Sequence, residues 1–196
     1  MNEELRKPNW FTYFLFGELF VLLVIIDQFT KFMITQSMAY QGIRPIINDF
    51  LSFHYVRNTG SAFSMFADKS WGITMLSVIS GLALLALMFL SGFVLYKYRS
   101  RRLSIILIFL SAGTLGNLID RVRLEYVVDF IRFDFGSYTF PIFNVADIYV
   151  TCSCILLAIC LIFSDKLIPE IPFNGKKKED DGSDSTNVEN EGEEDS

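Results

Sequence analysis

The stretch WGITMLSVISGLALLALMFLSGFVLY (71–96) runs without a single charge, and KYRSRR (97–102) follows it directly. A second uncharged run, Leu103 to Ile119, begins at once. About 20 helical residues cross the hydrocarbon of a bilayer. In that medium every backbone N–H and C=O must be bonded within its own segment, so each run is expected to be a helix. Two spans joined by a short turn carrying Lys97, Arg99, Arg101 and Arg102 form a membrane hairpin, and so many bases put the turn on the cytoplasmic side.

Two more apolar runs flank this hairpin. Trp10 to Ile34 is interrupted only by Glu18, Asp27 and Lys31, and Val145 to Phe163 only by Asp147. Arg6 and Lys7 ahead of the first run suggest a signal-peptide n-region, but no A-x-A-like cleavage site follows, so the run is read as a retained helix. The fold class expected is an all-α membrane protein of four transmembrane helices over residues 10–165. Composition agrees: 52% hydrophobic residues, 20 Phe and a mean hydropathy of +0.38 are too apolar for an ordinary soluble domain.

Base density sets the orientation. With the N-terminus inside, the short inner segments carry Arg6, Lys7, Lys97, Arg99, Arg101, Arg102, Lys166 and Lys176 to Lys178. The longer outer stretches carry Lys31, Arg44, Arg57, Lys69, Arg121, Arg123 and Arg132. Both termini are therefore expected in the cytoplasm, residues 1–9 as a short N-terminal segment and 166–196 as a disordered tail, basic and then acidic. Nine acids and no base lie in 179–196, so the pI of 4.9 describes the tail; the rest of the chain carries +4 against −5 for the whole. Lys176 to Lys178 suit the anionic cytoplasmic leaflet. The outer segments 45–66 and 124–143 are rich in Phe, Tyr, Ile and Val, with alternation at Phe53–Val56 and Tyr126–Phe133, and predict a small outward-facing β element.

Several function classes drop out. Cys152, Cys154 and Cys160 all sit in one apolar run, which argues against a disulfide scaffold; they read as small packing residues. A single histidine, His54, excludes most His-based zinc sites and reads as a loop residue. Ser61 is not in a G-x-S-x-G setting, and Cys152-Ser-Cys154 is not C-x-x-C.

What remains is a set of polar residues at one depth. Asp27 and Lys31, spaced i, i+4, lie near the outer end of the first helix and can pair. Asn117, Asp120 and Arg121 share the outer end of the third helix, and Asn144 and Asp147 open the fourth, Asn144 as a helix cap with Pro141 ending the strand before it. The second helix offers nothing polar to this zone. Glu18, roughly 13 Å along the helix from Asp27, is too far and reads as an interhelical hydrogen-bonding group. Charges inside spans are costly and usually functional. Asp129, in Val127-Val-Asp-Phe-Ile131, has apolar neighbours that favour its neutral form. Two carboxylates in a low-dielectric site share one proton, so one can activate water while the other polarises a carbonyl, without metal or cofactor. Spacing allows Asp147 to pair with Asp129 or with Asp120, although Asp120 next to Arg121 has the setting of an ionised, structural carboxylate.

In order, the polar segments are Asp27-Gln-Phe-Thr-Lys31, Arg57-Asn-Thr-Gly-Ser-Ala-Phe63, Gly116-Asn-Leu-Ile-Asp-Arg121, Val127-Val-Asp-Phe-Ile131 and Phe143-Asn-Val-Ala-Asp147. This series resembles the lipoprotein signal peptidases (signal peptidase II), the bacterial membrane aspartyl proteases, over about residues 10–165. The resemblance implies an aspartic endopeptidase of the bacterial inner membrane, with its site near the extracytoplasmic face. Its substrates would be prolipoproteins whose diacylglyceryl-modified Cys directly follows the scissile bond. The family's catalytic pair falls on Asp129 and Asp147. Its supporting positions fall on Asp27, Asn58, Asn117, Asp120, Arg121, Asn144 and Ala146, with Lys31 and Gly60 counted beside them. Departures are small: Ser61 stands where the family often has Ala, and Ala112-Gly113-Thr114 where it has Gly-Gly, both matters of helix packing. No cofactor, metal or nucleic acid is expected, membrane lipid is a partner, and a monomer is anticipated. The competing reading is a small transporter or channel that uses intramembrane Asp residues.

Overall fold

The computed structural model describes residues 9–60 and 72–163. The expectations for residues 1–8, for Ser61 and for the tail from 166 lie outside the described residues.

Four helices and a small sheet build the chain: α1 (Trp10–Ser37), β1 (Ile43–Ile47), β2 (Leu51–Asn58), α2 (Gly72–Lys97), α3 (Arg101–Leu124), β3 (Val127–Phe135), β4 (Tyr138–Thr139) and α4 (Val145–Ile162). All four helices are long and apolar enough to cross a membrane. Asn9 caps α1 by accepting from the Thr12 N–H at 3.0 Å. The third helix runs five residues past Ile119 because Asn117, Asp120 and Arg121 find partners inside the bundle.

α3 is the central helix. In its spanning stretch 56% of the residues are buried, against 11–17% in the others, which present Phe11, Val21, Leu85, Phe89 and Ile155 outward as lipid-facing surface. No hydrophobic force draws helices together in lipid, so close packing and hydrogen bonds must hold them. Small residues on α3 supply both. Ser91 of α2 and Ser104 of α3 donate to each other's carbonyls at 3.2 Å in each direction. At Gly113 a Cβ would lie 2.5 Å from the Ala146 carbonyl and 2.9 Å from Val150, so the α3–α4 crossing needs hydrogen there. At Gly116 a Cβ would overlap the Asp27 carboxylate of α1.

The sheet is antiparallel in the order β1-β2-β3-β4 and sits at the end of the bundle where α1 and α3 finish and α4 starts. It begins at Ile43, two residues before the outer segment 45–66 that predicted it, and its longest strand, β3, enters the protein with Val127 to Phe130 all buried. Tyr55, Val128 and Phe130 on one face form an apolar cluster with Ile34 of α1. The other face carries Val56 and its partner Asp129. An isolated bridge between Ile131 and Phe143, with bonds of 2.8 and 3.1 Å, draws the start of α4 against β3.

Three smaller expectations change. Glu18 lies on the exposed face of α1, and no described residue hydrogen-bonds it. Cys160 packs with Val94, Leu103 and Leu107, but Cys152 and Cys154 face outward from α4. His54 belongs to β2 and not to a loop; its Nδ1 is buried without a hydrogen-bond partner, and that burial lowers its pKa.

Replacing Gly113 by Val should push α4 off α3 and lower stability by about 1–3 kcal/mol, read as a lower unfolding midpoint in detergent; an unchanged midpoint would contradict the close crossing.

Candidate active site

A buried ion cluster ties α1 to α3. Lys31 Nζ lies 2.9 Å from Asp27 Oδ2 and 3.1 Å from Asp120 Oδ2, and it donates to Asn117 Oδ1 at 3.0 Å. Its three donors are thus all used, as an ammonium in a dry site requires. Gln28 closes the cluster, donating to Asp120 Oδ1 at 3.0 Å, to the Gly116 carbonyl at 3.1 Å and to Asp27 Oδ2 at 3.2 Å. Each acid also reaches another element. Asp27 Oδ1 accepts from the Ala146 N–H at 2.9 Å, and Asp120 Oδ2 also accepts from the Val128 N–H at 3.0 Å. One cluster therefore fixes α4 and β3 against α1 and α3.

Above it, Asn144 joins the two remaining aspartates. Its side-chain NH₂ donates to Asp129 Oδ1 at 2.7 Å and to Asn117 Oδ1 at 3.1 Å. Its backbone N–H donates to Asp147 Oδ2 at 3.1 Å, while its own Oδ1 accepts from the Asp147 N–H at 3.0 Å, a reciprocal capping box. Asn117 Nδ2 donates to Asp147 Oδ1 at 2.8 Å, and Asn58 Nδ2 to Asp129 Oδ2 at 2.9 Å. Asn58 is turned by Gly60, whose N–H donates to Asn58 Oδ1 at 2.9 Å with φ at +92°, a backbone state that favours glycine.

Asp129 is buried and Asp147 half-buried. Burial first, and then the nearby Asp147 charge, push the Asp129 carboxyl up to about 7 against the opposing bonds from Asn58 and Asn144. Arg121 lies within electrostatic range of Asp147, Asp120 and Asp129, and its Nη1 donates to Ser80 Oγ of α2 at 3.4 Å. Such a pair of acids, one able to hold a proton near neutrality, can do general acid–base chemistry on water and a carbonyl.

The model of the family described as signal peptidase (SPase) II matches residues 19–163. The chain belongs to the signal peptidase II family. A lipoprotein signal peptidase of Streptococcus pyogenes serotype M5 (strain Manfredo) is 40% identical over 148 residues, covering 72% of this chain and 88% of that protein. Its counterpart in serotype M3 (strain SSI-1) is 39% identical over the same length. Two solved structures described as bacterial membrane enzymes, at 1.9 and 2.3 Å, are 34% and 33% identical with TM-scores of 0.67 and 0.68. They cover 80% and 88% of this chain, each over 96% of its own length. The protein is thus a multi-pass membrane protease of the signal peptidase II family.

All but one of the site residues singled out in the sequence fall in one bonded network; Arg121 lies within electrostatic range of it and bonds Ser80 instead. Asp27, Lys31, Asn117, Asp120, Asn144, Ala146 and Asp147 share the network, and Asn58 with Gly60 joins it through Asp129. Two details differ from the reading above. Lys31, and not Arg121, is the ion partner of Asp120, because the i, i+1 side chains diverge around the helix. The second helix does contribute, through Ser80. Gln28 was missed; its place next to Asp27 in a polar Asp27-Gln-Phe-Thr-Lys31 segment was the available signal.

Replacing Lys31 by Met leaves two buried acids without their cation. Stability should fall by about 3–5 kcal/mol, measured as unfolding in mixed micelles, and a variant as stable as the parent would show that the cluster does not hold the helices.

Proposed function

We propose that this protein is an aspartic endopeptidase that removes signal peptides from diacylglyceryl-modified prolipoproteins, cleaving just before the lipidated Cys, with Asp129 and Asp147 as its catalytic pair. Removal of prolipoprotein signal peptides accords with the family and with its 40%-identical relative. The aspartic mechanism is supported by one observation above the others: Asn144 bonds Asp129 through its side chain and Asp147 through its backbone, which keeps the two carboxyls side by side.

In this reading Asp129 enters the reaction protonated, consistent with a carboxyl pushed up to about 7. Asp147 takes a proton from water as the oxygen attacks the scissile carbonyl, and Asp129 gives its proton to the carbonyl oxygen. The tetrahedral intermediate then collapses as Asp147 returns its proton to the leaving amine and Asp129 takes back a proton from one of the two hydroxyls, leaving the new carboxylic acid and both aspartates as they began. Asn58, Asn117 and Asn144 hold the carboxyls in place, and Arg121 offsets the negative charge around them. The bound diacylglyceryl chains position the bond by proximity. The sheet end is placed outside and both termini in the cytoplasm of a bacterial inner membrane, on the base density at Lys97 to Arg102. A transporter or channel is not favoured. The bonded carboxylates gather at the sheet end, and the described middle of the bundle holds apolar side chains with hydroxyls bonded to carbonyls.

Asp129→Asn and Asp147→Asn should each reduce cleavage of a lipidated precursor by at least roughly 10²–10⁴-fold while the protein stays folded and inserted. Processing by either variant at the parent rate would refute the pair. An unlipidated twin of the precursor should be cut poorly; equal cleavage would remove the lipid from the mechanism.

The pH profile provides a separate test. A raised pKa keeps Asp129 protonated below about 7 and lets it lose the proton above, so kcat/KM should fall on the alkaline side with a limb centred near 7. A profile flat from 6 to 9 would rule out Asp129 as the proton donor.

A further inference from the structure

The sheet has a second face, and it lines a cavity that the reaction does not use. Along β2, Tyr55 and Arg57 point opposite to Val56 and Asn58; along β3, Tyr126 and Val128 point opposite to Val127 and Asp129. Arg57 pairs with Val128 and Val56 with Asp129, so the strand register puts the two sets on opposite sides. Between that second face and the ends of α1 and α3 lies a cavity of about 500 Å³. This volume falls in the range of small-molecule pockets, roughly 300–1,000 Å³.

The chemistry of its lining is uneven. Arg57 and Arg123 both line it, and neither has a carboxylate partner among the described residues. The Arg57 guanidinium is held between two rings, 4.8 Å from the centre of Tyr40 and 4.9 Å from that of Tyr126, with Nε donating to Tyr55 Oη at 3.4 Å. Stacking orients the fork while leaving its Nη donors unclaimed, the state of a guanidinium ready for a bidentate anion. Asp120 lines the floor, but Lys31, Gln28 and the Val128 N–H already engage its oxygens. Two guanidiniums without a carboxylate partner, over a floor whose carboxylate oxygens are already bonded, favour an anion. The cavity also lies at the end of the spans, where headgroups sit. Phe32, 57% exposed on α1, and Leu124 line it with apolar surface that acyl chains could follow.

We propose that this cavity binds the phosphate-bearing headgroup of an anionic phospholipid, with Arg57 and Arg123 as its phosphate partners. This site is separate from the place where the lipidated precursor is cut. Its occupant would sit against Lys31, whose Nζ bonds Asn117, the residue that bonds Asp147.

Native mass spectrometry of the full chain, released from micelles titrated with phosphatidylglycerol or phosphatidylcholine, tests this without any cleavage. Phosphatidylglycerol should be retained at least tenfold better. Arg57→Gln and Arg123→Gln should each weaken its retention roughly fivefold, the weight of one basic residue at an anionic surface, and the double variant roughly 25-fold. Arg132→Gln, altering an arginine already paired with Asp134 at 2.9 Å, should leave retention as in the parent. Arg123 has no described partner to lose, so its variant keeps the test valid if Arg57→Gln fails to fold. Equal retention of the two lipids, or an unchanged preference in Arg123→Gln and the double variant, overturns the proposal. Displacement of the lipid by equimolar glycerol 3-phosphate would assign the site to a soluble anion and overturn the lipid claim.

Discussion

Everything at the sheet end depends on one buried ammonium group. Lys31 Nζ is surrounded by Asp27, Asp120 and Asn117, each within 3.1 Å. Removing these charges from water is expensive, and only full use of every donor and acceptor offsets the cost. That requirement gives the cluster its reach. Asp27 spends its second oxygen on the Ala146 N–H of α4, and Asp120 spends one of its own on the Val128 N–H of β3. Satisfying one cation thereby sets where the fourth helix starts and where the third strand enters the bundle.

The two aspartates proposed as the catalytic pair inherit that placement. Asp129 follows Val128 directly, and Asp147 follows Ala146 directly, so each is one residue from a backbone N–H bonded to the ion cluster. Asn144 and Asn117 then close the remaining gap with neutral amides. An amide can donate to a carboxyl in either protonation state without adding charge, which suits the proton exchange proposed for this pair. The division of labour is clear: a charged layer for position, a layer of asparagines for alignment, and one acid buried enough to keep its proton near neutrality.

The small residues of α3 are part of the same constraint. Gly116 is bare because the Asp27 carboxylate occupies the space of a side chain, and Gly113 because the α4 backbone passes there. Charged cluster and glycine spacing therefore require each other. The sheet uses its two faces differently, one for Asp129 and one for a cationic, tyrosine-lined cavity, and strand alternation alone makes that separation possible.

The four spans, the hairpin turn at Lys97 to Arg102, the cap at Asn144 and the Asp27–Lys31 pair were legible in the chain, because each rests on hydropathy or on spacing within one element. The order of the polar motifs was enough to suggest the family. Which residue neutralises Asp120, the contribution of Ser80, the role of Gln28 and the outward-facing Glu18 were not legible, since they depend on how separate helices are rotated against one another. Nor could spacing choose between Asp120 and Asp129 as the neighbour of Asp147. That choice comes from three-dimensional packing: Asp120 is drawn down to Lys31, while the Phe143–Ile131 bridge brings Asn144, and with it Asp147, up beside Asp129. Periodicity along a chain reports the environment of each segment, but the meeting of two side chains from different segments is decided only when all the buried polar groups must be satisfied together.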